Sequence, residues 1–216
     1  MRIHPSVLDY YRDQLRSVRL HVLGRWYLFS FPSLARYLPD GEVFVDLGCG
    51  YGVWAFYLAQ LRPQVRILGS DPDDDKVQVA AAIARQNGMT RLEFSTGKAQ
   101  DISLPACSLI SLVDILYLIP YDEQIEILQK CAAALLPGGR IMIKEIGSRP
   151  RWKYLVNYLE EVLAVRVLRI TRGSEFYFRN EQDWKDILDD LGLQASVIQL
   201  DAGYPHPHVL ILGEKP

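Results

Sequence analysis

Short apolar runs at 42–47, 65–70, 91–95, 108–114 and 139–146 punctuate the chain, and between them apolar positions recur at helical spacing. A strand buried on both faces reads as a continuous apolar run, so this alternation predicts a parallel sheet covered by helices on both sides. Trp54, Tyr57, Leu58 and Leu61 fall at i, i+3, i+4 and i+7, as do Trp184, Ile187, Leu188 and Leu191. Ile125, Leu128, Ala132 and Leu135 predict a third helix, stopped by Pro137-Gly138-Gly139 before "RIMIKEI". Beyond a helix at 181–192 the pattern changes. "SVIQL" and "HVLILG" are separated only by "DAGYPHP", too short for a helical crossover, so the two runs are predicted to pair antiparallel. The class expected is α/β, a doubly wound seven-stranded sheet that is mostly parallel and ends in an antiparallel hairpin.

Two stretches lie outside the alternation. Residues 5–38 read as one or two helices with Tyr, Trp and Leu on their inner faces, and residues 1–39 are expected to cap the active site. Residues 148–180 read as an inserted segment, which the resemblance drawn below places on the acceptor side: a helix with Trp152, Leu155, Val156, Leu159 and Leu163 on one side, then β-like "VLRI" and "FYF". The core then comprises 40–147 and 181–216, and 216 residues suit one domain with an insertion.

Composition narrows the function. Charged residues make up 23% and the net charge is -2, so nothing pulls the whole chain toward nucleic acid. The charge is uneven, however. Residues 1–40 hold six arginines against three aspartates, and 148–180 hold seven Lys or Arg against three glutamates. Such basic surfaces suit an anionic acceptor or peripheral contact with a membrane, or are simply solvated helix faces. Three cysteines without a CxxC pair indicate neither a disulfide framework nor a zinc site, and no metal is expected. A cytoplasmic setting is expected, because arginines interrupt the N-terminal apolar residues and no run reaches the ~18 apolar residues of a membrane span.

The chemistry is concentrated in "VFVDLGCGYG", residues 43–52. A triphosphate loop requires Gly-Lys-Ser/Thr, but Gly97-Lys98 is followed by Ala99. A dinucleotide loop requires G-x-G-x-x-G, whereas Gly48, Gly50 and Gly52 follow the register G-x-G-x-G. Asp46 leads into the bend, where a carboxylate repels a pyrophosphate and attracts an ammonium group. That combination suits S-adenosylmethionine, which carries an α-ammonium and a sulfonium and no phosphate. Asp71, ending "ILGSD", is placed to accept the ribose hydroxyls, and Gln100 or Asp101 to meet the adenine.

With the "LLPGGR" turn and the closing hairpin, these motifs make residues 40–216 resemble the class I S-adenosylmethionine-dependent methyltransferases, which have a Rossmann-like fold. The resemblance implies that Gly48, Gly50 and Gly52 line the cofactor, with Asp46 near its ammonium and Asp71 on the ribose. It also implies Gln100 and Asp101 at the adenine, and Asp114 with Tyr117 beside the sulfonium. Cys49, Tyr51, Pro72 and Ala99 complete the expected cofactor set. Lys98 departs from the pattern, standing where many members carry an aspartate.

The reaction expected is methyl transfer to a small-molecule or lipid-like acceptor, with oxygen favoured over nitrogen or carbon. The alternatives are a non-catalytic binder of the cofactor and an NAD-dependent oxidoreductase. Because the last strand runs backward, "GYPHPH" returns to the ligand edge of the sheet, making His206 and His208 candidate bases or solvated turn residues. Glu145 is the other candidate base, or the partner of Lys144 or of an arginine of the inserted segment in an ion pair.

Overall fold

The computed structural model describes residues 6–29, 31–146, 176–200 and 208–216. Seven strands are present among the described residues: β1 (Val43–Leu47), β2 (Arg66–Asp71), β3 (Leu92–Thr96), β4 (Cys107–Val113), β5 (Leu135–Ile146), β6 (Gln194–Gln199) and β7 (His208–Glu214). Their order is β3-β2-β1-β4-β5-β7-β6. β1 to β5 are mutually parallel, and β7 runs antiparallel to both β5 and β6. The order reverses between β1 and β4, which opens a crevice at the carboxyl ends of these two strands. β7 starts at that edge, His208 standing opposite Ile146.

The α-helices among the described residues are α1 (Arg16–Leu28), α2 (Phe31–Leu34), α3 (Val53–Leu61), α4 (Asp74–Gln86), α5 (Tyr121–Ala134) and α6 (Glu181–Asp190). Their starts follow capping chemistry where the sequence supplies it. Asp73 accepts from the Lys76 amide at α4, and Asn180 forms a reciprocal capping box with Asp183 at α6.

Apolar side chains fill both faces of the sheet. One layer joins Phe44, Leu109 and Met142 to the N-terminal segment, α3 and α4, and the other joins Val45, Ile110 and Ile143 to α5 and α6. Since neighbours along a strand point to opposite faces, Asp46, Ser111, Lys144 and His208 all fall on the face covered by the N-terminal segment. All four are buried.

Three local expectations need correction. The inward face of α5 is Gln124, Ile127, Leu128, Cys131 and Ala132 rather than a row through Ile125, which is half-buried. Gln124 is wholly buried because its amide has carbonyl partners, a compensation that apolar spacing cannot reveal. On α1 the inner residues are Val18 and Val22, whereas Leu20, Leu23 and Leu28 face solvent. Phe176–Phe178 form no ladder: this segment packs on Tyr117, whose carbonyl takes the Tyr177 amide at 2.8 Å. "VLRI" and the expected helix at 152–163 lie outside the described residues.

Leu188 is fully buried between α6 and the hairpin, its Cδ1 lying 3.0 Å from where a Cβ on Gly213 would sit. Leu188→Ala is expected to cost about 2–5 kcal/mol in urea unfolding without changing far-ultraviolet dichroism at zero urea.

Candidate functional site

The glycine loop is drawn onto the end of β2, where the Gly48 and Cys49 amides both donate to the Ser70 carbonyl at 2.7 and 2.9 Å. Gly48 (φ 73°) and Gly50 (φ 53°) both have left-handed backbone, but their surroundings differ. A Cβ at Gly48 would lie 2.3 Å from Ile115 Cγ2, so that glycine lets the loop pack on the turn after β4. A Cβ at Gly50 would meet nothing closer than Lys76 Cδ at 4.0 Å. Gly50 therefore leaves open space over the loop, which is what close approach of a ligand to the backbone requires. The carboxylate of Asp71 braces the same loop, accepting from the Gly50 amide at 2.8 Å and the Asp73 amide at 2.9 Å.

Asp46 occupies the head of the crevice at 2% exposure. Its Oδ1 accepts from the Ser111 hydroxyl at 2.9 Å, and its Oδ2 is buried with no hydrogen-bond partner among the described residues. Burial raises its pKa to about 7, against the opposing pull of Ser111 and the Arg25 guanidinium. An unmatched carboxylate oxygen is costly to keep in a core, and a cationic ligand group is the natural remedy.

At the end of β4, Asp114 adopts left-handed backbone (φ 55°), which an aspartate tolerates at a cost on the order of 1 kcal/mol. The turn brings its carboxylate to the Lys144 ammonium, with contacts of 2.7 and 2.8 Å. Lys144 is fully buried under the Phe29 ring, 4.2 Å from its centroid. Arg25 of α1 stacks on the same ring at 3.9 Å and comes within 3.8 Å of Asp114. Burial pulls the Lys144 pKa down, and the Asp114 carboxylate opposes that pull. Lys144 and Glu145 do not face each other, being neighbours on one strand. The Glu145 carboxylate instead takes the Leu116 amide at 3.0 Å, and burial holds its pKa well above the ordinary carboxylate range.

The N-terminal segment forms the outer wall. The Tyr11 hydroxyl donates to the Tyr51 carbonyl at 2.7 Å, and the His21 ring meets Tyr51 edge-on at 5.3 Å. Burial, with Arg25 and Lys76 nearby, pushes the His21 pKa down to about 4, so it is neutral at pH 7. Cys49 also stays protonated, its pKa raised well above normal by burial and by Asp46 and Asp71.

Other expected positions are more scattered. Pro72 and Asp101 are exposed, and Ala99 is half-buried. The Gln100 side-chain amide donates to Glu123 on α5, while Lys130 donates to the Gln100 and Ile102 carbonyls. Tyr117 is buried and stacks on Phe178 with 5.2 Å between centroids. His208 is 2% exposed, stacks on Phe29, and places Nε2 2.6 Å from the Leu28 carbonyl. His206 lies outside the described residues, as do 148–175 of the expected insertion.

Sequence reasoning missed Arg25, Ser111 and Gln124. Arg25 sits in an arginine-rich helix with nothing to single it out. Ser111 is one of two hydroxyls inside an otherwise apolar strand, with Ser108, and a polar group so placed is a usable signal. Gln124 reaches the Leu116, Ile119 and Tyr177 carbonyls and accepts from Arg179 Nε at 2.7 Å, which ties the turn after β4 to 176–179.

A family profile described as a methyltransferase domain matches residues 44–139, the stretch that carries the glycine loop, Asp71 and Asp114. This match and those that follow support a class I S-adenosylmethionine-dependent methyltransferase family for the chain. Among family relatives, a ubiquinone biosynthesis O-methyltransferase of Leptothrix cholodnii is 27% identical over 113 residues, covering 52% of this chain and 47% of the relative. A fatty-acid O-methyltransferase of Mycolicibacterium smegmatis is 26% identical over 142 residues, covering 63% of this chain and 51% of the relative. The chain thus spans about half the length of these curated relatives. The fold also matches magnesium protoporphyrin IX methyltransferase from Synechocystis, solved with bound S-adenosylhomocysteine. That match has a TM-score of 0.65 at 18% identity, covering 96% of this chain and 92% of the other. S-adenosylmethionine is the family's cofactor.

Asp46 gives a stability test with a definite sign. Its folded pKa of about 7 lies above the ordinary 3.8, so the folded state is progressively penalised as pH rises from about 4 to 7. Asp46→Asn, which can still accept from Ser111, is expected to be more stable than the parent above pH 7. The gain is at most about 4 kcal/mol in denaturant unfolding and shrinks toward zero near pH 4.

Proposed function

We propose that the chain transfers a methyl group from S-adenosylmethionine to an oxygen of a small-molecule or lipid-like acceptor. The observation that carries this reading is the buried, unpartnered Oδ2 of Asp46 beside the open backbone at Gly50. A carboxylate in that state fits a ligand ammonium and disfavours a pyrophosphate, which argues against the NAD-dependent alternative.

The remaining assignments follow from complementary charge. Arg25, close enough to Asp46 to hold its carboxyl down, would take the α-carboxylate of the same zwitterion. Asp71 would accept from the ribose hydroxyls while keeping its two backbone amides, because each oxygen has a second lone pair. Ala99, Gln100 and Asp101 would flank the adenine, the Gln100 side chain having to leave Glu123 if it is to take part. Asp114 and Tyr117 would face the reacting end of the cleft. S-adenosylmethionine supplies the activated methyl on a sulfonium whose leaving group is a neutral thioether. The protein's work is then to align the acceptor, exclude water and take a proton from a hydroxyl.

His208 is the proposed base among the described candidates. The Leu28 carbonyl fixes Nε2 as the protonated nitrogen, which makes Nδ1 the acceptor nitrogen of a neutral ring. Glu145 is engaged by the backbone amides of the turn it holds. The O-methyl, lipid-like class of acceptor is supported by the likeness to a ubiquinone biosynthesis O-methyltransferase and a fatty-acid O-methyltransferase. An aromatic wall at Tyr117, Phe176 and Phe178 fits such a molecule.

Titration calorimetry with S-adenosylhomocysteine should give micromolar affinity, and an absence of heat would count against the cofactor assignment. Only ionised Asp46 attracts the ammonium, so affinity at pH 6 should be about tenfold weaker than at pH 8, with protons released on binding in the acid range. Asp46→Asn should weaken binding and flatten this dependence. Transfer of labelled methyl from S-adenosylmethionine into an organic extract of cells tests turnover, and no labelled product would favour a non-catalytic binder.

A further inference from the structure

α1 is apolar on two sides. Val18 and Val22 are buried, with Trp26 beside them against Tyr57. On the opposite side Arg16, Leu20, Leu23 and Tyr27 follow at i, i+4, i+7 and i+11, a straight row along the helix. Leu20 is 68% exposed, Tyr27 65% and Leu23 42%, and Leu15, just ahead of the helix, is 75% exposed. Leu28 is also exposed, so five of the seven large exposed hydrophobic side chains among the described residues belong to this one segment. The face is open at the backbone too: a Cβ added at Gly24 would meet no atom within 4 Å. A contiguous apolar patch of this kind is not the default for a soluble surface.

Charge identifies what fits it. α1 contains no acidic residue, while Arg16 is exposed at the head of the row and Arg19 is exposed to one side of it. Arg12, just upstream, is exposed and paired with Asp9, and Asp13 is the other acid nearby. A helix that offers leucine and tyrosine between long cationic side chains is suited to the boundary of an anionic bilayer. There the apolar row enters the acyl region, and the arginines reach phosphate with their stems still buried. Position favours the same partner. The other side of α1 supplies His21 and Arg25 to the crevice, and its Leu28 carbonyl meets His208. A surface bound to α1 would therefore sit beside the mouth of the cleft.

We propose that the outer face of α1, through Leu15, Leu20, Leu23, Tyr27, Arg16 and Arg19, docks the protein on an anionic lipid surface. An acceptor dissolved in the bilayer would then reach the cleft without crossing water. The docking face uses none of the residues proposed to hold the cofactor, so the two ideas fail separately.

Flotation of the full chain tests it, with vesicles of phosphatidylcholine alone or with about one third phosphatidylglycerol. Expected is binding to the anionic vesicles that weakens at least tenfold on raising salt from 0.05 to about 0.5 M. The double variant L20E/L23E should lose binding at least tenfold, and R16E/R19E should lose the salt-sensitive part. In both variants the melting temperature and S-adenosylhomocysteine affinity should stay unchanged, because the altered side chains face solvent. Absence of parent binding to anionic vesicles would overturn the proposal, as would equal binding by L20E/L23E. Sedimentation of the same samples covers the rival occupant. A parent dimer that L20E/L23E dissociates, without vesicle binding, would make the face a contact between copies of the chain and refute the lipid assignment.

Discussion

A carboxylate oxygen buried without a hydrogen-bond partner among the described residues is the constraint on which the account of the candidate site depends. Asp46 sits at the carboxyl end of a central strand, where the sheet on both sides and the N-terminal segment above exclude water. Desolvation outweighs the help from Ser111 and Arg25, so the free protein carries Asp46 on the edge of protonation at neutral pH. A core residue selected for stability alone would not be left in this state. Under the proposed function the arrangement is preorganisation: the cost is met in folding, and an arriving ammonium would meet a desolvated carboxyl that ionises as it binds.

The same logic extends along the covered face of the sheet. Asp46, Ser111, Lys144 and His208 share it because they stand at alternate positions on neighbouring strands, and Asp114 joins them by turning its backbone left-handed. Lys144 is tolerable at zero exposure only because both Asp114 oxygens and the Phe29 ring receive it. Removing one member of such a pair typically costs about 3–5 kcal/mol. The N-terminal segment packs against the candidate site, Tyr11 and His21 meeting Tyr51, Arg25 approaching Asp114, and Phe29 covering Lys144.

The sheet was legible in the sequence because fully buried strands leave uninterrupted apolar runs, and the β1 loop because its glycines and aspartate have few other uses. The antiparallel hairpin followed from a connection too short for a helical crossover, whereas the strand order came from the structure. The missed features share one cause: they depend on compensation across distant segments. Gln124 looks like a surface residue of a helix until the carbonyls of Leu116, Ile119 and Tyr177 are placed around it. Leu20 and Leu23 look like core until Val18 and Val22 are seen to take the inner side. Glu145 and Lys144 are adjacent in sequence, and the pleat separates them.

Carbon-detected nuclear magnetic resonance of the aspartate carboxyls reads the central claim directly, since it follows Asp46 itself. The account predicts a midpoint near 7 in the free protein, falling by more than one pH unit when S-adenosylhomocysteine is added, because the ammonium stabilises the ionised form. A midpoint already at ordinary aspartate values in the free protein, or one unmoved by saturating ligand, would contradict it.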